Sequence, residues 1–216
     1  MQAIESTQVH IVRLMNDFYV SALDHPAWQA AAGIRVGRYW SGEEAPVSRH
    51  FVTNLLWSTS SLYIRFEAEQ HEPLVVSDEP EIISKTLSLW ERDVCEVFIA
   101  PDREQPERYF EFEVAPTGEW VDLAIQVMSG KRETDQDYSS GMRTAASIGS
   151  GKVMMAMKID WQAFEKTPVA GDVWAGNIFR CIGSGPTRGY LAWLPTLTPT
   201  PNFHVPERFG EFVFVE

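Results

Sequence analysis

From Ser61 to Glu69 the chain alternates without a break: Leu62, Ile64, Phe66 and Ala68 fall on one side of an extended backbone, Tyr63, Arg65, Glu67 and Glu69 on the other. A period of two predicts a strand with one buried and one polar face. The pattern recurs over Asp93–Ile99 and over Tyr109–Val114, where Phe110, Phe112 and Val114 are assigned to the core and Tyr109, Glu111 and Glu113 to the outside. Pro116-Thr117-Gly118 supplies turn chemistry, and Glu119–Ile125 returns as the hairpin partner. Val153–Ile159, Trp174–Ile182, Tyr190–Leu194 and Gly210–Val215 read as further strands.

Helical periodicity is scarce. Val75–Trp90 is predicted to hold a short helix capped by Ser77 or Asp78, with Pro80 in its first turn. Asp160–Phe164 suits a single helical turn, and the polar stretch from Met128 to Gly151 suits a long surface loop or hairpin. Many short strands and few helices predict an all-β chain. The predicted fold is one two-layer antiparallel β-sandwich, jelly-roll or immunoglobulin-like, with one or two short helices. It would span residues 1–216, with 1–30 as an N-terminal edge extension.

Composition narrows the choice of partner. With 44% hydrophobic residues the chain can bury a sizeable core, and a formal net charge of −12 without a Lys/Arg cluster disfavours duplex nucleic acid and anionic membranes. The excess of carboxylates suits a neutral or cationic small molecule. Cys95 and Cys181 form no CxxC pair and sit in apolar runs, which predicts two buried thiols rather than a zinc site. Met1–Phe18 lacks the charged start and continuous apolar stretch of an export signal, so a cytoplasmic location is expected.

The densest chemistry lies in Leu89–Ile99. If extended, it places Trp90, Arg92, Val94, Glu96 and Phe98 on one side. An indole beside a carboxylate makes a sugar platform: the ring stacks on the apolar face of a pyranose and the carboxylate accepts hydrogen bonds from its hydroxyls. Glu111, Glu113 and Arg180 on neighbouring strands would add polar groups, Arg180 balancing the acids. The stretch from Trp193 to Gly210 carries four prolines, which stiffen a loop able to present Phe203 and His204 as a second wall. The predicted ligand-binding set is Trp90, Glu96, Glu111, Glu113, Arg180, Trp193 and Phe203, with no catalytic residue.

In order, Leu62–Glu67, Trp90–Phe98 with its Trp-Glu-x-Asp-x-x-Glu-Val-Phe pattern, Tyr109–Glu119 and Phe209-Gly210 before a last strand resemble the family 9 carbohydrate-binding modules and their relatives, among them haem-binding DOMON domains. The resemblance covers about residue 35 to the end. It implies a β-sandwich that holds sugar between two aromatic side chains without catalysing a reaction. Trp90 would match one stacking aromatic, Glu96 an acidic ligand six positions on, and Phe203 or Trp193 the second aromatic. Glu111 and Glu113 stand where the family can carry Arg and Asn. No cofactor is expected, though a structural calcium would be compatible, and a protein partner stays open.

Two rival readings start from the same residues. Glu91-x-Asp93-x-x-Glu96 looks like the active-site strand of laminarinase-type jelly-roll glycosidases, with Glu91 as nucleophile and Glu96 as acid/base. Haem b held by Met154, Met155, Met157, Lys158 or His204 is the other.

Overall fold

The computed structural model describes residues 6–216. The chain forms β1 (Gln8–Arg13), β2 (Ile34–Val36), β3 (Phe51–Trp57), β4 (Ser61–Glu69), β5 (Val94–Ala100), β6 (Arg108–Val114) and β7 (Trp120–Met128). It continues with β8 (Lys131–Asp135), β9 (Arg143–Ile148), β10 (Lys152–Asp160), β11 (Val173–Ile182), β12 (Gly189–Ala192) and β13 (Gly210–Val215). One continuous path of pairing runs β8-β7-β6-β5-β11-β13-β1-β3-β4-β10-β9, with β12 on β11 and β2 on β3. The path curls on itself so that its two halves face each other across the core, as a sandwich requires.

Leu62, Ile64, Phe66 and Ala68 of β4 and Val153, Met155, Met157 and Ile159 of β10 meet Cys95, Val97 and Ile99 of β5, Phe112 and Val114 of β6, and Ile178 and Ile182 of β11. The inward half of the Ser61–Glu69 alternation is therefore satisfied as read, whereas Tyr63 on the other face is buried rather than turned to water. Pairing is antiparallel throughout except at β1, which runs parallel to both β13 and β3. Gln8–Arg13, inside the segment taken as an edge extension, thus lies in the middle of the path.

Both outer faces are covered in part. Across β3, β4 and β10, residues Leu14, Val20, Leu23 and Trp28 of the N-terminal segment pack on Leu56, Tyr63 and Ala156. Across β5, β6, β7 and β11, the C-terminal loop brings Phe203 onto a second apolar cluster with Phe98, Tyr109, Leu123 and Phe179. This second cover creates the site.

Among the described residues helix is confined to short 3-10 turns. Trp161–Phe164 is the turn predicted at Asp160–Phe164. The helix predicted in Val75–Trp90 is absent; only Leu89–Glu91 forms a turn. The backbone there is committed elsewhere: Asp93 N–H donates to Val75 O (2.8 Å) and Thr86 N–H to Trp120 O (2.8 Å), while Lys85 pairs with buried Asp122 at 2.7 Å. The 128–151 region is neither one loop nor one hairpin. Its strands β8 and β9 join opposite ends of the path, β8 on β7 and β9 on β10. Among the described residues no helix is long and apolar enough to cross a membrane.

Candidate functional site

Glu96 lies on β5 directly across from Glu113 of β6 on one side and Phe179 of β11 on the other, and Phe98 lies across from Glu111. Side-chain direction alternates along a strand. These pairings therefore put Glu96, Phe98, Glu111, Glu113, Phe179 and Cys181 on one face, the outer face of the β7-β6-β5-β11 half.

Above it opens a pocket of about 670 Å³, lined by Glu96, Phe98, Glu111, Leu123, Cys181, Trp90, Glu91, Arg132, Gln136, Arg188, Tyr190, Asn202, Phe203 and His204 among others. Apolar rings with a few convergent polar groups are the usual make-up of a small-molecule site.

Trp90 reaches this pocket by a route the sequence did not suggest. It sits in the 3-10 turn before β5, not on the strand, so Trp90 and Arg92 do not continue the face of Glu96. Ser88 enters the turn with φ 60° and Leu89 anchors it in the second apolar cluster at 0% exposure, leaving the neighbouring indole 37% exposed. Arg188 braces the turn from the other side. Its Nη2 donates to the carbonyls of Trp90 (2.5 Å) and Arg92 (2.8 Å), and its Nη1 to that of Gly183 (2.7 Å).

Phe203 is the aromatic that the C-terminal loop contributes. It stacks on Phe179 with ring centroids 4.1 Å apart and planes 12° from parallel. Beside it His204 Nδ1 and the Tyr109 hydroxyl share a 2.8 Å hydrogen bond, and the imidazole lies 5.2 Å from the Phe98 ring. Burial, with Arg132 nearby, holds His204 down at about 3, so it is a neutral hydrogen-bonding group at physiological pH.

The three glutamates share the floor. One oxygen from each of Glu96, Glu111 and Glu113 lies within 4.8 Å of the others, and all three side chains are buried. Glu96 Oε1 accepts the Cys181 thiol at 3.3 Å. Burial first, then the charge of Glu111, pushes Glu96 up to about 8. Burial raises Glu111 as well. Glu113 is held well above the carboxylate range by burial and then by Glu96 and Glu111. Three buried acids this close resist ionising together, and a proton can be shared between Glu113 and Glu111. Outward orientation of Glu111 and Glu113 was read correctly, but exposure was not: the second apolar cluster and the loop above it remove them from water.

Two members of the predicted set lie elsewhere. Arg180 alternates onto the opposite face and is 2% exposed; it donates to Arg49 O (2.8 Å), Glu69 O (2.8 Å) and Gln70 Oε1 (2.6 Å). It ties β11 to the chain around β4 rather than balancing the floor acids. Trp193 is buried at 4% exposure and stacks on Phe212 at 5.9 Å, because its N–H is drawn to Ile178 O just after β12 ends. Arg132 and Gln136 were missed because their region reads as polar loop, and Tyr190 because it is one ring in a short strand. Arg188 follows a glycine-rich bend with no pattern of its own.

The geometry also separates the rival sets. Asp93 is buried away from the pocket, its carboxylate taking N–H bonds from Gly183 (2.8 Å) and Val75 (3.2 Å), while Glu91 belongs to the exposed turn. Glu91, Asp93 and Glu96 therefore share no face. Met155 and Met157 fill the core, and Lys158 pairs with Asp17 at 3.3 Å on the far half of the sheet, remote from His204. Neither the jelly-roll hydrolase set nor the haem ligand set is assembled.

Solved structures share this fold at low identity. A candidate carbohydrate-binding protein from Bacteroides uniformis aligns with a TM-score of 0.75 at 16% identity, covering 96% of this chain and 98% of that one. A family 9 carbohydrate-binding module from Caldicellulosiruptor kristjanssonii aligns in its cellotriose complex with a TM-score of 0.67 at 13% identity, covering 96% and 93%. The glucose complex of a family 9 module from the same organism gives 0.67 at 14%, covering 96% and 95%. No curated protein matches the chain at a significant level. The sequence model described as "Carbohydrate family 9 binding domain-like" matches residues 22–216, and by that match the chain belongs to this family.

Proposed function

We propose that this protein binds a carbohydrate in the pocket between the C-terminal loop and the outer face of β5, β6 and β11, and that binding rather than turnover is its role. The observation that carries this reading is one of placement. The partly exposed indole of Trp90, the stacked Phe203 ring and the carboxyls of Glu96 and Glu111 all line a single cavity. A pyranose has apolar C–H faces and a polar equator, and these surfaces complement both. Related modules solved with glucose and cellotriose support a gluco-configured ligand.

Binding would be assembled from three contributions. Trp90 offers a flat apolar surface whose backbone is already fixed by Leu89 and Arg188, so little freedom is lost when a sugar settles on it. Glu96 and Glu111 accept hydroxyl protons in a cavity that excludes much of the water competing for them. Arg132, Gln136 and Asn202 at the mouth would read hydroxyls farther from the floor.

Calorimetric titration with glucose, cellotriose and a panel of other oligosaccharides tests the proposal. At least one sugar should bind to the wild type, and Trp90→Ala should weaken it at least tenfold while shifting the melting temperature little. Absence of binding across the panel would refute the reading.

A further inference from the structure

Glu113 poses a problem that sugar binding alone leaves unsolved. It is 0% exposed and does not line the cavity, yet neither of its carboxyl oxygens has a partner outside the three glutamates, and a proton shared with Glu111 still leaves one of them without any. Buried polar groups are seldom left this way, and a buried carboxylate without a counter-charge is costlier still. A sugar in the cavity can reach Glu96 and Glu111 but not the layer beneath them.

We infer that Glu96, Glu111 and Glu113 form a binding site for a hard divalent cation of calcium's size, with its open side turned toward the pocket. Three oxygens within 4.8 Å of one another always share a point no more than about 2.8 Å from each, and a few tenths of an ångström of contraction gives the 2.3–2.6 Å of calcium–oxygen bonds. Carboxylate-only donors favour calcium or magnesium over zinc, and the flexible coordination of calcium suits three glutamates better than the strict octahedron of magnesium. The Cys181 thiol stands outside the group of mutually close ligand atoms although it touches Glu96.

Charge selects a divalent ion over an ammonium group on a sugar. One positive charge would leave most of three carboxylates uncompensated, and an ammonium carried on a ring could not pass below Glu96 and Glu111 to Glu113. Calcium takes six to eight oxygens, so three glutamates leave positions that only the cavity can fill. Neighbouring hydroxyls of a sugar would occupy them. This last step rests on the carbohydrate reading; the cation site itself does not.

The test is calcium titration of chelator-treated protein, followed by calorimetry and thermal melting, with magnesium as the comparison ion. Wild type should bind one calcium saturably and melt at a higher temperature with it, magnesium acting more weakly, and Glu113→Gln should lose the calcium shift. Terbium luminescence, sensitised by nearby Tyr109 and Trp90 and displaced by calcium, gives a second readout on the wild type should the variant not fold. No saturable calcium effect, or one undiminished in a folded Glu113→Gln protein, overturns the inference. For a sugar found to bind, affinity should fall at least tenfold in chelator; unchanged affinity would remove the cation from the sugar contact. Calcium binding without binding of any sugar would uphold the cation site and sink the carbohydrate reading instead.

Discussion

Replacing Arg180 separates architecture from recognition. Its guanidinium lies on the inner face of β11 and spends its N–H groups on Arg49 O, Glu69 O and Gln70 Oε1 at 2.6–2.8 Å. Buried Asp93 is close enough to feel its charge. Arg180→Met keeps much of the aliphatic stem while removing the charge and all three bonds. Breaking one partner out of a buried charged network costs about 3–5 kcal/mol, because the acceptors left behind are cut off from water. At roughly 2–4 °C per kcal/mol for a domain of this size, melting should fall by roughly 6–20 °C. Sugar affinity measured well below that melting point should stay within about twofold, since Arg180 does not line the cavity. Differential scanning calorimetry and titration on the same sample give both numbers. A variant with near-normal melting and lost affinity would refute the placement of Arg180 and restore it as a ligand.

Other side chains divide differently. Phe203→Ala should affect both properties: the ring is 8% exposed and stacked on Phe179, so its removal should cost about 2–3 kcal/mol, below the 3–5 kcal/mol of fully enclosed phenylalanines, and weaken sugar binding at least tenfold. Urea unfolding and titration check it, and unchanged affinity would exclude Phe203 as a wall. His204 predicts acid sensitivity. Its folded value near 3 lies below the unfolded 6.5, so its contribution is complete above pH 6.5 and is lost as pH falls toward 3. Between pH 7 and 5 the wild type should lose up to about 2 kcal/mol from this residue. Urea midpoints of His204→Gln should fall less over that interval, and equal slopes would contradict the assignment.

Much of the fold was readable because alternation reports one covered face, as it does over residues 64–69. It fails where both faces are covered or neither is. Phe51–Trp57 is enclosed by the core and the N-terminal segment, and its two polar residues, Thr53 and Asn54, are adjacent and buried, so β3 has no period to detect. Lys131–Asp135 is polar throughout because little covers it. Arg180 was misplaced for the first of these reasons. In Ile178-Phe179-Arg180-Cys181-Ile182 both parities are buried, and only the pairing of Phe179 with Glu96 decides which faces the cavity. Trp90 and Glu96 were singled out through residue type and spacing and both line the cavity, although the turn that presents the indole depends on the left-handed Ser88 and the burial of Leu89. That Glu111 and Glu113 are sealed could not be read locally, since the segment covering them lies about 90 residues downstream.

In the proposed binding mode, sugar meets this protein at the indole of Trp90 above the glutamate floor. Two-dimensional NMR of the tryptophan Nε1–H signals during titration with cellotriose, or with whichever sugar binds, tests it directly. The resonance assigned through Trp90→Phe should move saturably, while those of the buried Trp161 and Trp174 stay in place. Saturable binding that leaves the Trp90 signal unmoved would put the sugar elsewhere and contradict the account.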